Sequence, residues 1–176
     1  MARTNFKDLR IWITGASTGI GKACAIEFAR RGAKVALSAR SEDKLQAIVE
    51  EIGADQALAV PFDVKDKESH KTAVERIEKE FGGIDMAFLN AGTWKVTEAD
   101  DFQSDLFEQM ITVNFIGMVY SLEAVLPVLR KSKRPHLVGM SSSVAFRGMP
   151  RAEAYCASKA AIRAMLQGLR IQLLRD

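Results

Sequence analysis

Cysteine is scarce in this sequence, with 2 among 176 residues. Cys24 and Cys156 stand far apart and form no CxxC pair, which excludes a disulfide-stapled scaffold. Isolated thiols are typical of a reducing compartment, and we therefore predict a cytoplasmic protein. His70 and His136 are also far apart and have no ligand-like neighbours in sequence, so no metal site is predicted.

A strong charge of either sign is lacking too. The chain has 25 basic and 22 acidic residues, which gives a net charge of +3, and the basic residues are scattered. This charge is too mild to predict a nucleic-acid partner. The first ten residues are charged and lack the apolar core of a signal peptide. No uninterrupted apolar run approaches the length of a bilayer span, so no membrane partner is predicted.

Short apolar runs alternate with longer segments of helical period along the chain. The predicted strands are residues 10–14, 34–39, 57–61, 84–89 and 136–141, and the predicted helices are residues 19–31, 42–52, 66–81, 105–131 and 152–174. Apolar strands separated by helices indicate a parallel sheet covered on both faces. We predict one α/β domain over residues 1–176, a Rossmann-type doubly wound parallel sheet of five βα units in the order 3-2-1-4-5.

A glycine-rich turn joins the first strand to the first helix, in the segment Thr14-Gly-Ala-Ser-Thr-Gly-Ile-Gly21. Gly15, Gly19 and Gly21 let the backbone turn tightly and approach a ligand closely. The N–H groups at the start of the helix then form an anion site suited to a pyrophosphate. This context predicts dinucleotide binding, and the alternative is a purely structural turn.

Part of the same segment is similar to the end of an ATP-binding loop. In Gly19-Ile-Gly21-Lys22, however, the next residue is Ala23, which lacks the hydroxyl that would ligate Mg²⁺. A nucleotide hydrolase is therefore disfavoured.

The second strand ends in Ala39-Arg40, where NAD-binding proteins usually carry a carboxylate for the adenosine ribose. Arg40 instead offers a planar cation suited to a 2′-phosphate, which favours NADP(H) over NAD(H). The alternative is that Arg40 simply faces solvent. Asp63, after the third strand, either accepts a hydrogen bond from the adenine amino group or caps the next helix, for which Asp66 is better placed.

Tyr155 and Lys159 are four residues apart in a predicted helix, so their side chains share one face. A nearby ammonium lowers the pKa of a phenol, which otherwise lies at about 10. Such a phenol can donate a proton to a carbonyl oxygen or take one from an alcohol. Taken alone, this spacing is also common in surface helices.

Other polar residues follow the fourth and fifth strands, at the edge where doubly wound sheets bind ligands. Ser141-Ser142-Ser143 can hold a substrate oxygen against the phenol, or can be ordinary loop residues. Asn90-Ala91-Gly92 ends the fourth strand, and Gly92 permits close approach to a cofactor. Asn114, inside the fourth predicted helix, either binds a water next to Lys159 or faces solvent.

In order and spacing, these motifs resemble the short-chain dehydrogenase/reductase family along nearly the whole chain. The resemblance rests on Thr14-Gly-x-x-x-Gly-x-Gly21, Asn90-Ala91-Gly92, Asn114, Ser142 and Tyr155-x-x-x-Lys159. It implies that Tyr155 is the acid and base, that Lys159 binds the nicotinamide ribose, that Ser142 polarises the substrate and that Asn114 carries a relay water. The implied cofactor-binding residues are Thr14, Gly15, Ser17, Gly19, Ile20, Gly21, Arg40, Asp63, Val64, Asn90, Ala91, Gly92, Tyr155 and Lys159.

The resemblance also implies a sixth strand, a substrate-covering loop and a seventh strand, none of which occurs before Asp176. We expect either that the sequence covers part of a longer chain or that it is a natural truncation. The fifth strand is then expected to be a sheet edge.

The function predicted is an NADP(H)-dependent oxidoreductase that interconverts a carbonyl compound and a secondary alcohol. The alternative is a dinucleotide-binding module without catalysis. Trp94, Val96, Phe146 and Met149 either line an apolar substrate cleft or are packing residues. A homodimer or homotetramer is expected through the fourth and fifth predicted helices, by way of the apolar residues Phe115, Met118, Leu122, Ile162 and Met165.

Overall fold

A parallel sheet of five strands forms the centre of the computed structural model, which describes residues 6–173. The strands are β1 (Arg10–Thr14), β2 (Lys34–Ser38), β3 (Ala57–Ala59), β4 (Met86–Leu89) and β5 (His136–Gly139). Their order is β3-β2-β1-β4-β5, with β5 at one edge. Every neighbouring pair is parallel, which confirms the predicted fold class and strand order.

Within residues 6–173, six α-helices connect and cover the strands. They are α1 (Gly19–Arg30), α2 (Glu42–Ile52), α3 (Lys67–Phe81), α4 (Ser104–Met110), α5 (Gly117–Leu129) and α6 (Glu153–Leu173). A π-helical segment, Ile111–Ile116, joins α4 to α5 without a break. The predicted fourth helix is therefore one long helix with a wider turn in its middle.

Local residue chemistry sets the ends of α3. Asp66 precedes the helix in extended conformation, and its carboxylate accepts the Glu68 N–H at 3.2 Å, so Asp66 is the N-cap as expected. Gly82 ends the helix with φ of +79°, a left-handed conformation that glycine adopts without strain.

The core lies on both faces of the sheet. Side chains of α1 and α2 cover one face, around Ile11 and Ile13 of β1. Those of α3, α5 and α6 cover the other face, around Trp12. The Trp12 indole is fully buried, and its Nε1–H donates to the Ser38 hydroxyl of β2 at 3.0 Å. The buried indole therefore keeps its polar group satisfied inside the sheet.

Three of the residues expected to mediate self-association lie inside this core. Met118, Leu122 and Ile162 are 4%, 6% and 0% exposed, because they are on the faces of α5 and α6 that pack on the sheet. Phe115 and Met165 are partly buried against the same cluster. The expectation is therefore wrong for Met118, Leu122 and Ile162, and it stays a prediction for Phe115 and Met165.

The long helix 104–129 has the length of a bilayer span, although the sequence has no uninterrupted apolar run of that length. It comprises 26 residues and is apolar enough to cross a membrane by length and composition alone. Interspersed small polar residues keep it from being an uninterrupted apolar run, which is why the sequence pattern did not reveal it. A helix packed on the core of a globular protein has the same composition, so the feature is weak evidence for a span.

Candidate active site

The glycine turn after β1 packs directly on the end of β4. Gly15 has φ of +67°, and a Cβ there would lie 2.7 Å from the Cα of Ala91. A Cβ at Gly21 would overlap the Gly15 carbonyl oxygen. The Asn90 amide donates from Nδ2 to the Gly15 carbonyl at 3.1 Å and to the Thr14 carbonyl at 3.3 Å. The turn is thus as tight as its glycines permit, and Asn90 fixes it to the neighbouring strand.

Thr14 supports this junction from inside the sheet. Its hydroxyl oxygen accepts the backbone N–H groups of Asn90 at 3.1 Å and Ala91 at 3.2 Å. Thr14 is 2% exposed. The side chain therefore aligns the ends of β1 and β4.

A cavity of about 380 Å³ lies at this edge, between the glycine turn and the ends of β2, β3 and β4. Its charged lining residues are Arg40 and Asp63. Ile20, at the start of α1, is 57% exposed although it is apolar. The complete lining is Gly15, Ser17, Thr18, Ile20, Ala39, Arg40, Ser41, Phe62, Asp63, Val64, Asn90, Ala91, Gly92, Thr93, Gln109 and Val113.

Asn114 lies in the π-helical segment and is fully buried. Its Oδ1 accepts the Thr93 N–H at 2.7 Å, and its Nδ2 donates to the Thr93 carbonyl at 3.0 Å and to the Ser158 hydroxyl at 2.9 Å. The alternative that Asn114 faces solvent is therefore wrong. The wider π turn presents this amide to the loop after β4, and such turns often occur at functional sites.

Lys159 is buried beside Tyr155. Its side chain is 2% exposed, its ammonium donates to the Met140 carbonyl at 2.8 Å, and Nζ lies 5.6 Å from the centre of the Tyr155 ring. Burial lowers the pKa of Lys159 to about 8. A Cβ at Gly92 would lie 3.4 Å from this Nζ and 3.3 Å from the Asn114 Oδ1. Gly92 therefore lets these two polar groups approach the backbone closely at the edge of the cavity.

The serines after β5 differ in what they bind. The Ser141 hydroxyl donates to the Lys159 carbonyl at 3.1 Å and so joins this loop to α6. The Ser142 hydroxyl accepts the Val144 N–H at 3.4 Å, at the start of the short 3₁₀ turn Ser143–Ala145. Because that bond uses only an oxygen lone pair, the Ser142 proton can point to another acceptor.

The five residues Thr93–Thr97, which we call the strap, run beside the first turns of α6. The strap is held at one end by the Thr93–Asn114 pair. At the other end the Thr97 N–H donates to the Arg151 carbonyl at 3.1 Å, and the Thr97 hydroxyl contacts Glu153. Tyr155 lies between Glu153, whose N–H the Thr97 hydroxyl accepts, and Ser158, to which Asn114 donates.

Comparisons with known proteins agree with this architecture. Residues 10–176 match the model of the short chain dehydrogenase family. The chain belongs to that family. It is 38% identical over 172 residues to an oxidoreductase of Listeria monocytogenes, covering 97% of this chain and 69% of that protein. It is 34% identical over 163 residues to one of Staphylococcus aureus, covering 93% of this chain and 71% of that protein.

Solved structures of the family superpose closely on this short-chain dehydrogenase. A short-chain dehydrogenase/reductase of Brucella melitensis, titled as a glucose/ribitol dehydrogenase, has a TM-score of 0.91 and 26% identity over 96% of this chain and 72% of its own. A short chain dehydrogenase of Bacillus anthracis has a TM-score of 0.91 and 28% identity over 97% of this chain and 72% of its own. Family and relatives make this protein an NAD(P)-dependent dehydrogenase or reductase.

Most of the predicted cofactor-binding residues meet in the cavity of this dehydrogenase. Thr14, Gly19 and Gly21 are not among its lining residues, and of these Thr14 and Gly21 shape the turn from behind it. The predicted catalytic residues Asn114, Ser142, Tyr155 and Lys159 also lie outside the lining, and Asn114 and Lys159 flank Gly92 at its edge.

Several residues of the site were not predicted from the sequence. Thr93, Thr97 and Ser158 carry no motif, and their partners lie 21, 56 and 44 residues away along the chain. Thr18 and Ser41 line the cavity at the starts of α1 and α2, where small hydroxyl residues are frequent for reasons of capping alone.

The residues present fit a dinucleotide. The Gly15 and Gly21 positions form a cradle that any Cβ would fill, and it lies at the start of α1, where N–H groups favour a phosphate. Ser17 and Thr18 line the cavity there. The first turn of α1 and its N-cap, Thr18, contain no carboxylate that would repel a phosphate.

Proposed function

We propose that this short-chain dehydrogenase interconverts a carbonyl compound and a secondary alcohol with NADP(H), and that Tyr155 is the acid and base. The observation that supports it most directly is the buried Lys159 ammonium, 5.6 Å from the Tyr155 ring centre and next to Gly92, which lines the cavity. The bound dinucleotide supplies or accepts the hydride. The chain's own groups position the substrate and move the proton.

Each of the four proposed catalytic residues has a distinct task. Tyr155 donates a proton to the carbonyl oxygen, or takes it from the alcohol, and the positive charge of Lys159 favours the phenolate form. Ser142 donates a hydrogen bond to the same substrate oxygen. Asn114 fixes the strap and offers a second lone pair of Oδ1 to a relay water, because its other polar groups bind Thr93 and Ser158.

The proposed preference for NADP(H) rests on the end of β2. Ala39 and the exposed Arg40 both line the cavity, so a guanidinium is present where a carboxylate would repel a 2′-phosphate. Asp63 and Val64 are proposed to hold the adenine. The pyrophosphate is assigned to the glycine turn, with Gly15, Ser17, Gly19, Ile20 and Gly21, and the nicotinamide end to Asn90, Ala91, Gly92, Tyr155 and Lys159.

Substitution of Tyr155 by Phe tests the catalytic proposal. We expect Tyr155→Phe to bind NADPH as the parent chain does and to lose at least about a hundredfold in turnover, since a positioned acid contributes at least that much. Carbonyl reduction is followed by NADPH absorbance over a panel of ketones. Undiminished turnover in the variant refutes the role of Tyr155. NADPH binding with no turnover by the parent chain supports the non-catalytic module instead.

Arg40→Ala tests the cofactor preference. Removal of the guanidinium is expected to weaken NADPH binding by about tenfold and to leave NADH binding unchanged, because NADH lacks the 2′-phosphate. Both dissociation constants are measured by fluorescence titration. Equal effects on the two cofactors contradict the assignment.

Self-association through the long helix 104–129 and α6 is also proposed, in a dimer or tetramer of a cytoplasmic protein. The supporting observation is that only 39% of the most apolar 18 residues of the long helix are buried within one chain. Apolar surface of this kind is usually covered by a partner. Light scattering that gives the mass of one chain contradicts the proposal.

A further inference from the structure

His70 is a buried polar side chain that the proposed reaction does not use. It lies on the inner face of α3 and is 0% exposed. Both ring nitrogens nevertheless have partners. Nε2 is 2.9 Å from the Val64 carbonyl, and Nδ1 is 3.1 Å from the Ser121 hydroxyl of α5. The ring therefore connects the loop after β3 to a helix on the same side of the sheet.

The partners determine which nitrogen carries the proton. A carbonyl can only accept, so Nε2 donates to Val64. Burial lowers the pKa of His70, although the bond to Val64 and the nearby carboxylates Asp66 and Asp63 oppose that effect. In the neutral ring Nδ1 is then an acceptor. It lies 3.1 Å from the Ser121 hydroxyl, whose one proton also has the Gly117 carbonyl as acceptor at 2.9 Å. The Val64 carbonyl thus selects the tautomer with the proton on Nε2.

Val64 is packed on its other side by α5. A Cβ at Gly117 would lie 3.0 Å from both the Cβ and the carbonyl oxygen of Val64. Phe62, two residues before Val64, packs edge-on against the His70 ring with centroids 4.7 Å apart. The opposite neighbour of the ring is Tyr120, at 5.8 Å. The loop 62–64 is therefore held by packing from two helices and by one directed hydrogen bond.

This loop is one wall of the cavity. Phe62, Asp63 and Val64 line it together, opposite the glycine turn. A carbonyl that is fixed by a buried donor keeps the neighbouring peptide groups in place, and a fixed wall binds a flat ligand without a cost for ordering. The loop 62–64 is also the segment that is proposed above to hold the adenine.

We propose that His70 is a positioning residue for the adenosine half of the dinucleotide, acting by its hydrogen bond to the Val64 carbonyl. The inference rests on the proposed dinucleotide binding and adds a residue outside the cavity to it. His70 does not touch the ligand, so its effect is confined to ligands that contact the loop 62–64.

The test compares ligands that represent the two halves of the dinucleotide. Adenosine 2′,5′-bisphosphate reports on the loop 62–64, and reduced nicotinamide mononucleotide reports on the other half. The variant His70→Phe keeps the ring contacts with Phe62 and Tyr120 but removes both nitrogens. We expect it to raise the dissociation constant of adenosine 2′,5′-bisphosphate about tenfold, the value of one buried hydrogen bond, and that of the mononucleotide less than twofold.

Two further variants separate the hydrogen bond from general packing. His70→Gln offers an N–H near the position of Nε2, and His70→Asn offers one near Nδ1 only. We expect His70→Gln to bind adenosine 2′,5′-bisphosphate more tightly than His70→Asn, by about threefold or more. Circular dichroism shows whether His70→Phe folds. If it does not, the comparison of His70→Gln with His70→Asn still tests the hydrogen bond to Val64.

The outcomes are distinct. A parent chain that binds neither adenosine 2′,5′-bisphosphate nor NADPH refutes the proposed dinucleotide binding itself. A parent chain that binds them as tightly as His70→Phe refutes only the role of His70. Equal weakening of both half-ligands, or equal affinity in His70→Gln and His70→Asn, overturns the positioning role, because a general loss of structure has no preference for one half.

Discussion

The Thr97 hydroxyl caps the helix that carries Tyr155. It accepts the Glu153 N–H at 3.1 Å and donates to the Glu153 carboxylate, at the first residue of α6. The cap is supplied by the strap, 56 residues earlier in the chain. The first turn of α6, which contains Tyr155, is therefore held by the loop that follows β4.

Thr97→Val removes this cap while keeping the shape of a side chain that is 3% exposed. We expect the free energy of unfolding to fall by about 1 kcal/mol, since a helix N–H loses its acceptor. Urea denaturation measures the change. Thr97→Ser, which keeps the hydroxyl, is the matched control and is expected to lose less. A Thr97→Val variant as stable as the parent chain would contradict the cap.

Asn114→Ala is expected to destabilise the chain more strongly. The substitution leaves the N–H and the carbonyl of Thr93 and the Ser158 hydroxyl without the amide that binds them. Buried polar groups left unpaired cost about 1–3 kcal/mol each, and water that enters the gap recovers part of that. We expect a loss of about 2–4 kcal/mol in the free energy of unfolding. Ser158→Ala, which removes one of these bonds, is the control and is expected to lose less.

Lys159→Met is expected to alter how stability depends on pH. Burial lowers the pKa of Lys159 to about 8 in the folded chain, from 10.5 in the unfolded chain. The folded state is therefore penalised below pH 8, where the buried ammonium is charged, and the penalty disappears as the pH rises to 10.5. The full difference is about 3 kcal/mol.

Urea denaturation of both proteins between pH 7 and 10.5 measures this effect. The free energy of unfolding of the parent chain should rise relative to that of Lys159→Met across the interval. A constant difference between the two proteins would show that the Lys159 ammonium is not penalised by burial.

Asp85 is expected to govern part of the acid stability. Burial opposes its ionisation, but hydrogen bonds from Arg10 and Ser132 outweigh it and lower the pKa of Asp85 to about 2. Arg10 donates to both carboxylate oxygens, at 2.8 and 2.7 Å. Since the pKa is lowered on folding, the stabilisation is complete above pH 4 and is lost as the pH falls from 4 to 2.

The variant Asp85→Asn should remove that pH dependence and be less stable than the parent chain at pH 7. The gap between the two should close towards pH 2. Urea denaturation at several pH values follows it, with Glu75→Gln, on the exposed face of α3, as control. A gap of the same size at pH 2 and pH 7 would contradict the role of the Arg10–Asp85 pair.

The sequence was sufficient for the sheet and for the residues that carry motifs. The spacing of apolar residues predicted all five strands. Each motif also occurs at the expected strand or helix, namely the glycine turn after β1, Asn90-Ala91-Gly92 after β4 and the Tyr155–Lys159 pair in α6. These features depend on local rules, namely side-chain period, glycine conformation and helical spacing.

What the sequence did not reveal depends on contacts between distant segments. Asn114 seemed a poor helix residue, and its partner in the loop after β4 could not be read from any period. Nor does a π-helical turn have a signature in residue type, since Ile111–Ile116 continues the apolar pattern of the helix. His70 carried no motif because one of its partners is a backbone carbonyl, which every residue possesses, and the other is Ser121, 51 residues away along the chain.

The helix faces were also assigned wrongly from the sequence. Met118, Leu122 and Ile162 were expected to be left over for a partner, but they are the residues that reach the sheet. A long helix with apolar residues all round offers several equivalent faces, and only tertiary packing decides which one is inside.

The two tryptophans give the chain two fluorescent probes, one in the core and one at the surface. Trp12 is 0% exposed between strands of the sheet, so its emission is expected to shift to longer wavelength only when the core opens. Trp94 is 56% exposed in the strap, so its emission is expected to respond to changes in the solvent around the strap while the core stays closed. The variant Trp12→Phe would leave Trp94 as the single tryptophan. Its emission would then report on the surroundings of the strap without any added label.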